Sequence, residues 1–113
     1  MHEMSLCESV VEILNSEARR QGFARVKTVW LEIGVLSGAE PEAMRFCFDA
    51  VTKGSLADGA RLEIVQTEGQ AWCLNCAKTV AVVQRFDACP ECGGFQLQIT
   101  GGDALRVREL EVE

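Results

Sequence analysis

Two cysteine pairs, Cys73-Leu-Asn-Cys76 and Cys89-Pro-Glu-Cys92 followed by Gly93-Gly94, are separated by twelve residues and constrain this chain more than any other feature. Two residues between thiols let both sulfurs of a pair reach one ion from a tight turn, and two such turns supply the four ligands of a tetrahedral site. Gly93 suits the second turn, because the residue after a metal-bound thiolate often needs positive φ for backbone N–H groups to point at sulfur. Ala77 lacks that freedom, so the first turn is the less ideal of the two. Zinc is the default metal for this spacing; iron in a rubredoxin-like site and a dithiol redox centre are the rivals. Four protein ligands leave no open position for water or substrate, so the site reads as structural rather than catalytic. In so small a module the ion replaces a hydrophobic core, and by analogy with zinc fingers it contributes roughly 10–16 kcal/mol of apparent folding energy.

With 113 residues the chain has room for one domain, or for a small domain carrying a smaller insertion. A hydrophobic share of 48% with only two prolines is that of a folded chain, not a disordered one. The net charge of −6 repels a phosphate backbone, and four thiolates around one dication would add two more negative charges. The basic groupings, Arg19-Arg20, Arg25 with Lys27 and Arg106 with Arg108, are each diluted by nearby acids and read as solvated faces. Nucleic acid is therefore not an expected partner. No apolar run approaches the roughly 18 residues of a bilayer-spanning helix, so no membrane association is expected. Met1-His2-Glu3 is not the start of a secretory signal, so the expected setting is the reducing cytoplasm, where clustered cysteines serve metal or redox chemistry rather than disulfides.

Apolar residues recur at helical spacing through Leu6, Cys7, Val10, Val11, Leu14 and Ala18, predicting a helix from about Leu6 to Gln21. Ser5 with Glu8 reads as its capping box and Gly22 as its stop, which would leave residues 1–4 projecting freely. Val26 to Val35 alternates as a half-buried strand, with Val29, Leu31, Ile33 and Val35 on one face. Pro41 opens a second helix whose stripe is Met44, Cys47, Phe48 and Val51, ending at Gly54. Arg61–Val65 and the tail Ala104–Val112 read as further strands. In the tail, Leu105 and Val107 share one parity and Leu110 and Val112 the other, which predicts a bulge near Arg108. The stretch from about Gly69 to Gly102, holding four of the six cysteines, reads as an insertion whose two ends are tied to one scaffold. Cys7 and Cys47 sit on apolar helical stripes and are read as core residues.

His2 is the only histidine in the chain. An arbitrary terminal histidine is most often without a role, but this position permits specific chemistry. The α-amine of Met1, the amide nitrogen of His2 and its imidazole can close adjacent chelate rings around one ion, with Glu3 offering a fourth donor. A planar set of nitrogen donors suits Ni(II) or Cu(II) and not tetrahedral zinc.

The chain resembles the HypA/HybF family of nickel metallochaperones of hydrogenase maturation, and most nearly the HybF type. The matching stretches cover nearly the whole chain: Met1-His2-Glu3 with Ser5-Leu6-Cys7, Val29-Trp30-Leu31-Glu32-Ile33-Gly34, Phe46-Cys47-Phe48, the two cysteine knuckles and Glu109-Leu110-Glu111-Val112. The resemblance implies an α+β fold: a nickel-binding domain of two helices on a three-stranded sheet, formed by residues 1–68 and 103–113, with a zinc-ribbon-like domain inserted at 69–102. It implies that His2, with the backbone of Met1 beside it, binds nickel, that Glu3 contributes through backbone or side chain, and that Cys73, Cys76, Cys89 and Cys92 hold structural zinc. Glu40 falls where the family commonly has an acidic residue before the second helix; an exposed loop acid is the competing reading. Many members carry histidines flanking the zinc cysteines. Here Ala77 and Gly93 stand in those places, so no cysteine-to-histidine ligand exchange is available.

The expected function is therefore that of a cytoplasmic carrier, not an enzyme, which takes up Ni(II) and delivers it to the large-subunit precursor of a [NiFe] hydrogenase. The resemblance implies cooperation with the GTPase HypB, since this chain has no GxxxxGK[ST] phosphate loop of its own. A monomer and a homodimer are both compatible with the sequence. Two other classes compete: a zinc-ribbon module that binds nucleic acid, disfavoured by the acidic balance, and a dithiol redox protein, which would hold no tight zinc. Neither explains the Met1-His2-Glu3 terminus.

Overall fold

Helix α1 runs from Glu3 to Gln21 in the computed structural model of the chain, which describes residues 2–113. It starts three residues before the predicted position. Ser5 and Glu8 lie inside it, and His2, which takes the N-cap position, makes no side-chain cap bond. The capping box is thus not the start signal, and Glu3 and Met4 form the first turn instead of projecting freely. That turn is fixed from a distance. The Glu3 carboxylate accepts the backbone N–H of Glu40 at 3.1 Å, a contact across 37 residues that no local pattern reveals. Gly22 ends the helix as expected, with φ 80° and its N–H on the Ala18 carbonyl at 2.8 Å.

Strand β1 (Val26–Gly34) leads to helix α2 (Pro41–Val51) and then to β2 (Arg61–Thr67). After β2 come three five-residue strands, β3 (Gly69–Cys73), β4 (Lys78–Val82) and β5 (Leu97–Gly101), and finally β6 (Leu105–Val112). Two three-stranded sheets result, ordered β2-β1-β6 and β4-β3-β5.

The chain divides into two compact units. The first comprises Met1–Leu31, Ala39–Val65 and Arg106–Glu113. In it α1 packs on α2, burying Cys7, Val10 and Leu14 from one and Met44 and Phe48 from the other, together with Val29 and Leu31 of β1. Thr28 is also buried, and its hydroxyl donates to the Glu111 carboxylate of β6 at 2.7 Å. The second unit comprises Glu32–Gly38 and Gln66–Leu105. Its core is Leu36, Ala71, Cys73, Val80, Val82 and Cys89.

Val35 does not continue the inward face of β1: it is 38% exposed, and Leu36 is the buried residue. The strand stops at Gly34 for a steric reason, since a Cβ there would stand 2.2 Å from the Gly102 carbonyl oxygen. That close approach lets Leu36 N donate to the same oxygen at 2.8 Å and turns Leu36 into the second unit's core.

Candidate metal centre

Strand β3 is the centre of the second sheet, pairing antiparallel with β4 on one side and β5 on the other. Its last residue, Cys73, is fully buried and is held in register by both neighbours, opposite Lys78 and Leu97. The β3–β4 turn is the first knuckle and carries Cys76. The loop between β4 and β5 folds the second knuckle against it. The sulfurs of Cys73, Cys76, Cys89 and Cys92 all lie within 4.8 Å of one another, forming the one metal-competent cluster among the described residues.

Zinc fits this cluster by distance. A Zn–S bond of about 2.3 Å requires tetrahedral sulfurs about 3.8 Å apart. Cys73 and Cys92 are 3.8 Å apart at sulfur, and Cys76 and Cys89 are 3.9 Å apart.

The two knuckles are built alike. Ala77 N donates to the Cys73 carbonyl at 2.8 Å, and Gly93 N to the Cys89 carbonyl at 2.9 Å. Backbone N–H groups then point at sulfur: Cys76 N to Cys73 at 3.3 Å, Glu91 N to Cys89 at 3.4 Å and Gly94 N to Cys92 at 3.4 Å. Such donors stabilise thiolates and orient them for an ion. Both closing residues have positive φ, 73° at Gly93 and 55° at Ala77. Ala77 therefore adopts the left-handed conformation despite its Cβ, because the turn demands it.

As bare thiols the four groups oppose one another. The Asn75 side chain and Gly94 N–H donating to sulfur bring Cys92 down to about 6, while hydrogen bonding to Cys92 pushes Cys76 up to about 12. Gathering four sulfurs so closely makes full deprotonation costly without a cation between them, and a dication removes that cost. Lys78 and Glu91, one from each knuckle region, form a 2.7 Å ion pair that ties the two together. Neither that pair nor Asn75 was singled out by the sequence reading. Their only signal is position, each being within two residues of a motif cysteine.

Cys7 and Cys47 stand apart from the cluster. Cys7 is buried and Cys47 half-buried, and the Cys7 thiol donates to the Met44 carbonyl at 3.5 Å. Burial, with Cys47 and Glu3 nearby, pushes Cys7 up to about 11, so it is an inert thiol at neutral pH.

In the first unit His2 is exposed, immediately before the first turn of α1. Met1 lies outside the described residues. The structure brings Glu3 and Glu40 together through the bond between the Glu3 carboxylate and Glu40 N, which also holds the Glu3 carboxyl below its usual range. The Glu40 side chain is the N-cap of α2, accepting from Glu42 N at 3.1 Å and Ala43 N at 2.8 Å.

Comparison with known proteins gives a consistent answer. A family model described as "Hydrogenase/urease nickel incorporation, metallochaperone, hypA" matches residues 1–112. The hydrogenase maturation factor HypA of Rhodopseudomonas palustris (strain BisA53) is 64% identical over 113 residues, covering the whole of both chains. Its counterpart in Azotobacter chroococcum mcd 1 is 62% identical over the same span. The solution structure of the Ni metallochaperone HypA from Helicobacter pylori superposes with a TM-score of 0.75 at 24% identity, covering 99% of this chain and 97% of that one, which supports the fold. With the family matched from end to end and the cysteine cluster in place, the chain belongs to the HypA family of hydrogenase maturation, nickel metallochaperones and not enzymes.

Proposed function

We propose that this protein takes up Ni(II) at its amino terminus through His2, the backbone of Met1 and Glu3, and delivers it to the large-subunit precursor of a [NiFe] hydrogenase in the cytoplasm, together with a HypB-type GTPase. The observation that carries the reading is the place of His2: the sole histidine, exposed, at the N-cap of α1. The first amides of a helix have no intrahelical acceptor, so the amide nitrogens of His2 and Glu3 can turn to a metal without breaking the helical ladder. The Glu3 carboxylate is already engaged with Glu40 N, which favours its backbone as the fourth donor. Both Glu40 carboxylate oxygens accept cap bonds, which disfavours Glu40 as a ligand, and its backbone N–H holds the α2 terminus against Glu3.

Residues 1–68 with 103–113 then form the nickel-handling part and 69–102 the zinc part, with Cys73, Cys76, Cys89 and Cys92 holding a structural Zn(II). A terminal chelate with few donors exchanges its metal readily, as a carrier must, whereas a closed four-sulfur site does not. The relatives above 60% identity are named hydrogenase maturation factors, which favours a hydrogenase client over urease.

Nickel titration of untagged, zinc-loaded protein tests this. His2→Ala should abolish specific nickel binding and hydrogenase maturation while zinc content and fold stay unchanged. One residue added before Met1 should do nearly as much damage by turning the terminal amine into an amide. Undiminished nickel affinity in the His2→Ala protein would remove the assignment.

A further inference from the structure

Strand β6 is the outer strand of its sheet, and its sequence, Leu105-Arg106-Val107-Arg108-Glu109-Leu110-Glu111-Val112, is a charge-inverted palindrome about the bond between Arg108 and Glu109. Laid antiparallel on a second copy of itself, Arg108 faces Glu109, Arg106 faces Glu111, Val107 faces Leu110 and Leu105 faces Val112. These are the opposite-charge and apolar cross-strand pairs that stabilise a sheet. Centring the pairing on Arg108 or on Glu109 instead sets that residue against its own like charge and every other charge against leucine or valine.

The palindrome is usable only if facing residues lie on the same side of the sheet. In a regular strand Val107 and Leu110, three apart, would lie on opposite sides. In β6 they share a side: partial burial falls on Leu105 and Val107 and resumes out of phase at Leu110. The groove of about 300 Å³ beside Ile13 and Glu17 of α1 is lined by Val107, Arg108, Glu109, Leu110 and Val112, the whole run across the slip. Glu111 lies on the other side, with Thr28, Trp30, Arg61 and Glu63. The phase slip at Arg108 and Glu109 thus brings the paired residues onto matching faces.

Main-chain directions agree with this pairing. The Ala104 carbonyl accepts from Gly34 N at 2.8 Å, and Glu113 exchanges hydrogen bonds with Arg25 at 3.0 and 3.1 Å, so both ends of β6 turn these groups towards β1. Alternating inwards from either end turns the N–H and C=O groups of Leu105, Val107, Leu110 and Val112 to the outer edge. Those are the residues that the palindrome sets opposite one another. Ile13 and Val112, 42% and 39% exposed, flank this edge and would be covered by the second copy.

We propose that β6 is a homodimer interface, two copies pairing β6 with β6 antiparallel about a two-fold axis between Arg108 and Glu109 to form one six-stranded sheet. The test is the association constant of the zinc-loaded full chain by sedimentation equilibrium. Glu109→Arg with Glu111→Arg sets four like-charge pairs across the axis and should weaken the dimer at least about ten-fold. Mixing that variant with the Arg106→Glu, Arg108→Glu variant should restore association as a heterodimer, which a merely misfolded variant could not do. Leu110→Pro removes an outward N–H without touching the β1 ladder and should also dissociate the dimer, with helical circular dichroism retained. A chain that stays monomeric up to millimolar concentration, or a dimer that all three variants leave intact, would overturn the proposal.

Discussion

Ala77 and Gly93 occupy equivalent positions after the two cysteine knuckles, yet only one is a glycine. A left-handed conformation costs a residue with a Cβ roughly 1–2 kcal/mol, so the first knuckle carries strain that the second lacks. Gly93→Ala should therefore destabilise the second unit by about 1 kcal/mol from backbone alone, since a Cβ there meets nothing within 4 Å. Ala77→Gly should be neutral or mildly stabilising, the relief of strain offsetting the extra freedom of glycine in the unfolded chain. Competition with a zinc chelator on both variants reads the difference, and equal effects would refute the account. The sequence named this asymmetry correctly but could not say that Ala77 would adopt φ 55° regardless, because that depends on Ala77 N reaching the Cys73 carbonyl. Cys7 illustrates the same limit in a helix. Its stripe position predicted burial, and the structure adds an ionisation consequence. Its value of about 11 exceeds the ordinary thiol value near 9, so the stability it contributes is fully present below pH 9 and is lost as pH rises towards 11. Thermal melts should show a steeper alkaline decline in the native protein than in Cys7→Ala over that window.

At the scale of elements, what was legible was what local spacing controls. The stripes of α1 and α2, the stop at Gly22 and the out-of-phase pattern of β6 follow from the order of residues, and each appears in the structure. What failed were the ends set by tertiary contacts. The start of α1 at Glu3 depends on Glu40 N, and the end of β1 at Gly34 depends on the backbone of Gly102. The strands β3, β4 and β5 were not foreseen, since five residues with two or three inward positions carry too little periodicity to stand out beside the cysteine motifs. Gly34 gives the sharpest test of an element boundary. Its hydrogen would be replaced in Gly34→Ala by a methyl 2.2 Å from a carbonyl oxygen and 2.8 Å from Asp103 N, all backbone atoms that cannot step aside. The substitution should cost at least about 1–3 kcal/mol and disturb the seating of Leu36, visible as shifted methyl resonances of the second unit's core.

For the whole molecule, zinc and nickel chemistry are expected to be separable because the two units draw their stability from different sources. Both helices and the buried residues of their stripes belong to the first unit. The second unit's core is six residues, two of them the proposed zinc ligands Cys73 and Cys89, with the proposed ligand Cys76 packed against it. Stripping the ion would leave those sulfurs to protonate or repel in the centre of a core too small to fold alone. A chelator should therefore unfold the second unit while helical circular dichroism is largely retained. Each unit carries its own reporter, Trp30 in the first and Trp72 in the second. Chelation should red-shift the emission of the Trp30→Phe protein, where the 38%-exposed Trp72 reports, and leave that of Trp72→Phe nearly unchanged. Acid should act in the same direction through the ligands, since zinc affinity falls as thiolates protonate. With no histidine beside the cluster, X-ray absorption should show sulfur-only ligation at neutral and mildly acidic pH alike. Nitrogen in the acid sample, or a concerted loss of both tryptophan signals on chelation, would contradict the separation.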